Sequence, residues 1–392
     1  MSKGSLVIVG SGIRSISQFT LEAIVHIEKA DKVFYCVTDP ATAGYIAGKN
    51  ANSVDLCVHY GNSKPREETY IEMAEVMLES VRTGLNVVGV FYGHPGGFVS
   101  PSRRALTIAR SEGYKSLMLP GISAEDCLFA DLLIDPSYPG LQTVEATDLM
   151  IRNRPLQTSS HVVIYQVGFM GQGDFNFKGI KNDKFHYLVQ RLKMEYGVDH
   201  PIINYKAAVL PLAQSTIQRY TIGALSTADV QGTIDSTSTF YIPPKTLLPV
   251  TNLDIVADTF NVSHPIQFTH PPLWADPNMD IPSLYGVPEN EVIARAESHT
   301  PPAEYQPYAA TPAMQKLMEK LSLDPEYREK YLASPTTVTQ SVEGLDKHEI
   351  TALSRGDPAL IHCTMCGADP NVSSTLNAHS PEFKPGESRE SI

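Results

Sequence analysis

The sequence of 392 residues has little cysteine, no long apolar run and no cluster of positive charge. Its five cysteines do not form the dense pattern of a disulfide-stabilised secreted domain, and they are typical of a reducing compartment. No apolar run approaches the roughly 20 residues that a transmembrane helix requires, and the N-terminus shows no signal-peptide cleavage pattern. A formal net charge of −12 without a basic patch argues against a nucleic-acid partner. We therefore expect a cytoplasmic protein that binds neither membranes nor nucleic acids.

Several common ligand-binding motifs are incomplete. The stretch "VIVGSGIRS" places Gly10 and Gly12 after a strand, but Ser15 stands where a dinucleotide fingerprint requires its third glycine. "HCTMC" (362–366) offers one histidine and one C-x-x-C pair, whereas a structural zinc site needs four ligands. "HEIT" (348–351) lacks the second histidine of a zinc protease. The sequence thus argues against a Rossmann-type cofactor site and predicts no metal site.

The first part of the chain alternates apolar strands with helical patterns. Near-continuous Val/Ile/Leu strands that alternate with helices predict a mostly parallel sheet covered on both faces. We assign residues 1–150 to this N-terminal α/β subdomain. Its predicted strands are "SLVIVG" (5–10), "KVFYCV" (32–37), "LNVVGVFYG" (85–93) and "YKSLMLPG" (114–121).

The rest of the chain changes rhythm three times. Residues 151–245 carry four strand patterns and one helix, "NDKFHYLVQRLKMEYG" (182–197), which predicts a second α/β subdomain with a mixed sheet. Prolines dominate residues 246–305 and predict an extended linker that wraps the surface. Helical patterns return over 306–366, where "TPAMQK" begins with the Thr-Pro pair typical of a helix start. The polar residues 367–392 predict a flexible tail.

One loop differs from an ordinary strand-to-helix turn. "FYGHPGGFVSPS" (91–102) ends a buried strand in two aromatic residues, a His-Pro pair and three glycines. Glycine permits a positive φ, or lets the backbone lie against another group with no side chain between. Strands of α/β sheets also present their carboxyl ends to ligands. A tight turn accounts for one glycine, whereas three glycines with His-Pro favour a ligand site.

A second polar cluster, "HYGNSKPREETY" (59–70), enters a helix. Arg66 and Tyr70 are one helical turn apart, so their side chains can meet. Both lie near a helix N-terminus, which favours negative charge, and a neighbouring guanidinium would stabilise a Tyr70 phenolate. Tyr60 lies just upstream. The alternative, which composition alone favours, is an ordinary solvated loop.

Three segments together resemble the tetrapyrrole methylase superfamily: "VIVGSGIRSISQFTLEAIVHIEKADKVFY" (7–35), "VGVFYGHPGGFVSPS" (88–102) and "MLPGISAEDCLFADL" (118–132). Over about residues 1–365 the chain further resembles the fungal borosin precursors, which are self-modifying peptide α-N-methyltransferases. The segments that carry this likeness include "NSKPREETY", "DCLFADLLIDPSYPG", "DFNFKG", "STFYIPPK" and "PPAEYQP". The resemblance implies a two-domain tetrapyrrole-methylase-like α/β fold with a C-terminal helical clasp and a flexible tail.

The resemblance also implies a cofactor, a substrate and a partner. S-adenosylmethionine would lie between the two α/β subdomains and leave as S-adenosylhomocysteine. The substrate would be backbone amides of a peptide in the biosynthesis of a ribosomal peptide natural product. In the family, the C-terminal peptide of one protomer enters the active site of the other within an interlocked homodimer.

Site residues follow from the positions that match the family motifs. Arg66 and Tyr70 take the catalytic positions, with Tyr60 as a supporting phenol that would hydrogen-bond the developing imidate oxygen. A Tyr70 phenolate held by Arg66 would accept the amide proton directly or through water. The family often has a larger residue at the position of Gly97. The implied cofactor contacts are Tyr92, His94, Gly97, Ala124, Gln166, Ala207, Ser238 and Thr239.

The C-terminal segment departs from the family pattern. Family members end in an aliphatic core peptide, whereas residues 367–392 contain only scattered apolar residues. Three interpretations stay open: a polar core, best represented by "NVSSTLNAHS" (371–380); a core that the chain lacks; or a separate peptide substrate. Two other functions also stay open, namely a small-molecule methyltransferase of the tetrapyrrole type and a non-catalytic protein that keeps the fold for binding or dimer formation.

Overall fold

The computed structural model describes residues 4–177, 179, 181–249, 251–260, 287–296, 298–301 and 310–365. The chain divides into two compact units, Met1–Asp280 and Ile281–Ile392. The predicted tail lies outside the described residues, as do Cys366 and the first residues of the predicted helical clasp.

The strands form two five-stranded sheets and one short pair, all within the first unit. Numbered along the chain, they are β1 Ser5–Gly10, β2 Lys32–Cys36, β3 Ser53–Asp55, β4 Lys64–Pro65, β5 Asn86–Phe91, β6 Lys115–Met118, β7 Leu141–Glu145, β8 His161–Tyr165, β9 Asp174–Phe175, β10 Pro201–Lys206, β11 Thr216–Thr221 and β12 Thr239–Ile242.

Helices connect these strands and continue into the second unit. They are α1 Leu21–Lys29, α2 Pro40–Lys49, α3 Arg66–Arg82, α4 Ser100–Ser111, α5 Ala124–Leu132, α6 Ala146–Ile151, α7 Phe185–Tyr196, α8 Ala228–Gln231, α9 Leu253–Phe260, α10 Val287–Ala296, α11 Pro312–Leu323, α12 Pro325–Ala333, α13 Pro335–Gln340, α14 Lys347–Arg355 and α15 Pro358–Met365. Short 3₁₀ helices lie at Leu56–His59, Val167–Phe169 and Gly223–Ser226.

The first sheet is parallel throughout, in the order β3-β2-β5-β1-β6. Helices α3 and α4 cover one face, where Leu6 and Ile8 are buried, and α1 and α2 cover the other, where Val9 is buried. Burial on both faces explains why these strands read as unbroken apolar runs. The parallel sheet predicted from the sequence is therefore confirmed, and the loops after its strands meet at one edge. Helix α2 and strand β3, which lack a strong apolar period, are absent from the sequence prediction of this sheet and its helices.

The second sheet is mixed, in the order β11-β10-β12-β8-β7. β7 and β8 are parallel, while β12 is antiparallel to both β8 and β10. A mixed sheet is what the sequence predicts. However, the edge strand β7 lies within the range 1–150 that we assign to the N-terminal subdomain, so the second sheet begins before the predicted boundary. In "LQTVE" only Val144 is buried, which is too short a signal to mark the change of sheet.

Helix α5 links the two sheets. Leu128 and Leu132 lie in one buried cluster with Ile203 and Tyr205 of the second sheet. The Tyr205 hydroxyl also donates a hydrogen bond to the Asp131 carboxylate at 2.7 Å. Full burial of each such apolar side chain contributes about 1.5–3 kcal/mol. Because α5 begins just after β6, this packing holds the carboxyl edge of the first sheet against the second sheet.

The segment 246–305 is not the uninterrupted extended linker that its prolines suggest, because α9 and α10 lie in it. The Asn252 side chain accepts a hydrogen bond from the Ile255 backbone at 3.1 Å, which satisfies a donor at the start of α9. Pro288 stands in the first turn of α10, where its missing N–H is not needed. Residues 261–286 of this segment lie outside the described residues.

Helices α11–α15 of the second unit pack around a small core of Met314, Leu317, Tyr331 and Leu353. Buried Glu349 joins two helix starts here. Its carboxylate accepts hydrogen bonds from the backbone and hydroxyl of Thr311, both at 2.8 Å, and from the Asp346 backbone at 2.9 Å. Asp346 and Glu349 thus form a capping box, and α14 ends at Gly356.

Candidate active site

The loops after β1, β5 and β6 interlock through glycines at the carboxyl edge of the first sheet. A Cβ atom on Gly10 would lie 2.2 Å from the Gly93 carbonyl oxygen, and one on Gly121 would lie 3.0 Å from the same atom. Gly12 and Gly93 both have a φ of 71°, and the Gly93 N–H donates to the Gly12 carbonyl at 2.9 Å. No side chain fits between these loops, so the glycines are needed first of all for the close packing of the loops against one another.

The rest of the predicted glycine loop is held in place around His94. The Gly96 N–H donates to His94 Nδ1, and the Gly97 N–H donates to the His94 carbonyl, both at 3.0 Å. The Arg103 guanidinium donates to the Gly96 carbonyl at 2.8 Å. A Cβ atom on Gly97 would come no closer than 3.7 Å to the His94 carbonyl oxygen. Position 97 therefore has room for a larger residue.

Tyr92 lies near a buried carboxylate. Burial, the neighbouring Cys127 and the Asp39 carboxylate raise the pKa of Tyr92 to about 12, so its phenol is protonated at neutral pH. Burial alone would raise the pKa of Asp39, but hydrogen bonds from the Ser15 hydroxyl, at 2.6 Å, and from Thr42 bring it below its ordinary value. A phenol donor and an anionic carboxylate therefore lie after β5 and β2.

Four of the predicted cofactor residues gather at one edge of the second sheet. Gln166 and Ala207 follow the ends of β8 and β10, whereas Ser238 and Thr239 lie at the start of β12. Because β12 is antiparallel to both neighbours, its start lies beside their ends. The Ser238 hydroxyl accepts a hydrogen bond from the Asp235 backbone at 3.0 Å. Gln166 has a φ of 57°, a strained conformation that is typical of ligand sites.

Contacts join this edge to the loops of the first sheet. The Tyr165 hydroxyl donates a hydrogen bond to Glu125 in the first turn of α5, and the Tyr165 ring lies 5.0 Å from that of Phe98 in the glycine loop. The Ser15 N–H donates to the Val209 carbonyl at 2.7 Å. The eight predicted cofactor positions therefore lie in loops that adjoin one another.

A pairing of two very short strands positions the polar segment 59–70, which carries the predicted catalytic residues and which we call the catalytic loop. β4 is antiparallel to β9, the Ser63 N–H donates to the Phe175 carbonyl at 2.9 Å, and the Arg66 N–H donates to the Gly173 carbonyl at 3.0 Å. Strands of two residues show no periodicity, so the sequence gives no sign of this pairing. It holds the start of α3 against the segment that follows β8.

Aromatic side chains of that segment contact the catalytic loop. The Arg66 guanidinium carbon lies 4.1 Å from the centroid of the Phe169 ring, in a cation–π contact. The Tyr60 ring stacks on Phe175 at 4.4 Å between centroids, and Phe177 meets Phe175 edge-on at 4.9 Å. We refer to Phe169, Phe175 and Phe177 as the aromatic shelf.

The predicted pairing of Arg66 with Tyr70 is not formed. Both residues lie on α3 one turn apart, as the sequence predicts. The Arg66 guanidinium is nevertheless turned to Phe169, and among the described residues no hydrogen bond joins it to the Tyr70 hydroxyl. The β4–β9 pairing presents the ring from the other subdomain, so the guanidinium packs there instead.

Tyr60 is a neutral phenol. Burial, with Cys36 and Tyr70 nearby, raises its pKa far above the ordinary value, and the Arg66 cation offsets only part of that rise. At neutral pH the Tyr60 hydroxyl is therefore a hydrogen-bond donor and not a base. This protonation state matches the role predicted for Tyr60, which is to donate to a developing oxyanion.

An open cleft of about 410 Å³ lies where α3 and α4 begin, and its lining residues are Glu67, Tyr70, Ile71, Ser100 and Arg104. Tyr70 thus faces a space that can admit a substrate, between walls of opposite charge. A second cleft of about 400 Å³ lies next to the Phe98–Tyr165 contact, and its lining residues are Phe98, Gln142, Thr143, Val144, Glu145, Asp148, Arg154, Pro155 and Tyr165.

No sequence motif identifies the shelf residues or Asp39 as parts of the site. Phe175 and Phe177 occur in "DFNFKG", where the sequence offers only a family likeness and no role. Asp39 precedes Pro40, and this Asp-Pro pair is a helix-start signal that the structure confirms, since Asp39 caps α2. In the part of the chain that the structure describes, no group of three or more His, Cys, Asp or Glu side chains is placed to hold a metal ion. Nor is any helix there long and apolar enough to cross a membrane.

Comparison with known proteins assigns the chain to a family. The family model described as "Tetrapyrrole (Corrin/Porphyrin) Methylases" matches residues 5–225, and the one described as "Borosin biosynthesis clasp domain" matches residues 284–387. The methyltransferase and cyclic peptide dendrothelin A precursor of Dendrothele bispora is 50% identical over 92% of this chain and 88% of its own length. The chain belongs to the borosin methyltransferase family.

Two further borosin relatives are similar over the same share of the chain. The omphalotin A precursor of Omphalotus olearius is 48% identical over 92% of this chain and 88% of its own length. The type III borosin precursor of Anomoporia bombycina is 50% identical over 92% of this chain, but the match spans only 43% of that protein. All three are named as methyltransferases that are also cyclic peptide precursors.

The predicted fold class is confirmed: a tetrapyrrole-methylase-like α/β fold is followed by a borosin clasp. The clasp match begins at residue 284 and ends at 387. It therefore includes the end of the segment predicted as a linker and most of the residues predicted as a tail.

Proposed function

We propose that this borosin-family chain is an S-adenosylmethionine-dependent N-methyltransferase that methylates backbone amides of a peptide. The observation that carries the proposal is a neutral Tyr60 phenol beside the Arg66 cation, on a loop held against a tetrapyrrole-methylase fold. The relatives' names, which join a methyltransferase to a peptide precursor, support a peptide substrate.

S-adenosylmethionine fits the chemistry of the loops at the two sheet edges. The Asp39 carboxylate supplies negative charge near Tyr92, which complements a cationic ligand, and the backbone of Gly97 is exposed. When bound, this cofactor supplies a methyl group on a positively charged sulfur and leaves as S-adenosylhomocysteine. The residues that would hold it are Tyr92, His94, Gly97, Ala124, Gln166, Ala207, Ser238 and Thr239.

The residues on the catalytic loop suit an amide substrate. An amide nitrogen is a poor nucleophile because its lone pair is delocalised into the carbonyl group, and loss of its proton gives an imidate whose charge lies largely on oxygen. The Tyr60 hydroxyl would donate a hydrogen bond to that oxygen. The Arg66 cation and the N-terminus of α3 add positive potential that stabilises the same charge.

Tyr70 completes the proposed machinery. It lines the cleft of about 410 Å³ together with Glu67 and Arg104. From this position its hydroxyl would relay the amide proton to water. The open cleft suits an extended polar backbone, and holding that backbone in line with the methyl group accounts for much of the rate enhancement expected.

The proposed substrate is the C-terminal tail, delivered between the protomers of an interlocked cytoplasmic homodimer in the biosynthesis of a ribosomal peptide product. The names of the relatives support a substrate carried by the same chain, because they join a methyltransferase to a cyclic peptide precursor. Since residues 367–392 carry few aliphatic side chains, the proposal has three forms: methylation of this polar tail, of an aliphatic core joined to it, or of a separate peptide.

Intact-protein mass spectrometry after expression in bacteria tests the proposal. The full chain is expressed as it stands and with an aliphatic peptide fused after Ile392, and the C-terminal fragments are sequenced. Increments of one methylene on backbone nitrogens of either tail support the proposal, and the Arg66→Ala/Tyr60→Phe double variant is the control expected to stay unmodified. If S-adenosylhomocysteine stabilises the protein thermally while both tails, and a separate aliphatic peptide, stay unmodified, peptide methylation is contradicted.

A small-molecule methyltransferase is the second candidate, because the family model matched over residues 5–225 is that of the tetrapyrrole methylases. Such an enzyme would release S-adenosylhomocysteine when the full-length protein is given a reduced tetrapyrrole. Release under those conditions, without methylene increments on any peptide, would favour this candidate over the first.

A further inference from the structure

Two thiols lie next to each other and close to Tyr60. Cys36 is the last residue of β2, and Cys57 lies in the 3₁₀ helix that follows β3. Their Sγ atoms are 3.6 Å apart, and both thiols are reduced and only partly buried. β2 and β3 are hydrogen-bonded neighbours, with Tyr35 paired with Asp55. The two cysteines therefore follow adjacent, paired positions of one sheet.

This geometry is close to that of a disulfide. A disulfide has an S–S bond of about 2.0 Å. The two sulfur atoms must therefore approach by about 1.6 Å. Side-chain rotation together with a small shift of the Cys57 backbone supplies a movement of this size.

The two thiols differ in acidity. The hydrogen bond between the two thiols lowers the pKa of Cys36 against the opposing effect of burial, and the Tyr60 hydroxyl acts in the same direction. The same hydrogen bond, together with burial, raises the pKa of Cys57. Cys36 is thus the more acidic of the two thiols, and the more acidic thiol is the one that attacks an oxidant.

We propose that Cys36 and Cys57 are an oxidation site whose disulfide disables the Tyr60 donor; the second half of this proposal rests on the proposed function. With a peroxide as oxidant, the Cys36 thiolate attacks one peroxide oxygen and becomes a sulfenic acid, while the other oxygen leaves and is protonated to water. Cys57 then attacks the Cys36 sulfur, and its proton leaves with the hydroxyl group as a second water. Two thiols lose two electrons and two protons, and one peroxide becomes two waters.

The bridge acts on Tyr60 through two contacts. The Tyr60 N–H donates to the Cys57 carbonyl at 3.1 Å, so a shift of Cys57 towards β2 moves the Tyr60 backbone with it. The Tyr60 hydroxyl also loses the Cys36 thiol as a hydrogen-bond partner when that sulfur enters a disulfide. Both changes displace a phenol whose ring must stay stacked on Phe175 to present its hydroxyl.

The test uses the full-length reduced protein, treated with hydrogen peroxide and then with a thiol-blocking reagent before peptide mapping. We expect a Cys36–Cys57 cross-linked peptide that is two hydrogens lighter, a loss of at least tenfold in methylation rate, and recovery of the rate with dithiothreitol. Cys57→Ser should keep its methylation rate under peroxide. Cys363→Ser, the matched control in the second unit, should remain as sensitive as the wild type.

Three outcomes would overturn the inference. No cross-link forms at peroxide levels that already oxidise Cys127; or the cross-link forms while the methylation rate stays unchanged; or Cys57→Ser is inactivated as readily as the wild type. If Cys57→Ser does not fold, Cys36→Ser removes the bridge instead. The cross-link is detected by peptide mass and needs no methylation activity. A reduced protein that methylates no peptide would therefore contradict the proposed function and not the oxidation site.

Discussion

Replacing Tyr60 with phenylalanine removes one hydroxyl and leaves the ring that stacks on Phe175 at 4.4 Å. Because burial and the neighbouring groups raise the pKa of Tyr60, the lost group is a protonated donor at neutral pH. We expect the methylation rate to fall about 10²–10³-fold, or about 2.7–4 kcal/mol, which is the cost of removing one oxyanion donor.

The stability of the Tyr60→Phe variant should change much less than its rate. The Tyr60 hydroxyl contacts the Cys36 thiol, and a hydrogen bond between neutral groups contributes about 0.5–1.5 kcal/mol net. Phenylalanine also keeps the buried apolar area of the ring. A rate loss larger than the loss in unfolding free energy, with unchanged thermal stabilisation by S-adenosylhomocysteine, would separate catalysis from folding.

The assay is single-turnover methylation of the reduced protein, followed by intact-mass spectrometry on the tail that proves to be a substrate. Tyr220→Phe is the matched control. The Tyr220 hydroxyl lies 3.3 Å from the Thr233 hydroxyl, away from the site, so this variant should react at the wild-type rate. A Tyr60→Phe variant that reacts within about threefold of the wild type, less than 1 kcal/mol, would refute the assignment of Tyr60 as the oxyanion donor.

Three further predictions concern the scaffold. Gly10→Ala forces a methyl group to 2.2 Å from the Gly93 carbonyl and should cost at least about 1–3 kcal/mol of unfolding free energy. Gly97→Ala meets no such contact, so its unfolding free energy should stay within about 0.5 kcal/mol of the wild type. Equal losses in the two variants would contradict the close packing of the glycine loops. Glu349→Ala leaves three hydrogen-bond donors without their acceptor, at about 1–3 kcal/mol each, so denaturant unfolding of the clasp helices followed by circular dichroism should shift to lower concentration. Burial lowers the pKa of His161 below its ordinary 6.5, so below that pH the unfolded state binds more protons and stability should fall on acidification. His161→Gln should reduce the slope of melting temperature against pH in a series of thermal melts. An unchanged slope would exclude His161 as its source.

The sequence predicts those parts of the fold in which local pattern and burial agree. Strands β1, β2 and β5 bury side chains on both faces, so each carries an apolar run that identifies it. β4 and β9 exist only because they pair with each other, and two residues carry no period. α9 and α10 escape notice for a different reason: the prolines around them mark helix starts as well as extended chain, and composition does not distinguish the two.

The site is predictable as a set of residues but not as a set of contacts. Spacing on α3 shows that Arg66 and Tyr70 can meet, yet the Arg66 guanidinium packs on Phe169. That ring comes from the segment after β8, which the chain reaches only after completing the first sheet. The protonation state of Tyr60 likewise depends on its burial and on Cys36 and Cys57, which are distant from each other in sequence.

The contact between Arg66 and Phe169 changes how the proposed site would manage charge. If Arg66 were paired with a Tyr70 phenolate, the two charges would cancel, and the phenolate would be the base. Over the face of a neutral ring, Arg66 keeps its positive charge, because no carboxylate among the described residues forms an ion pair with it. Beside it, Tyr60 stays protonated. A cation and a neutral donor both stabilise an imidate, and neither stabilises the neutral amide to the same degree. Such a site would act by lowering the free energy of the deprotonated amide, so that a weak acceptor such as water suffices to remove the proton.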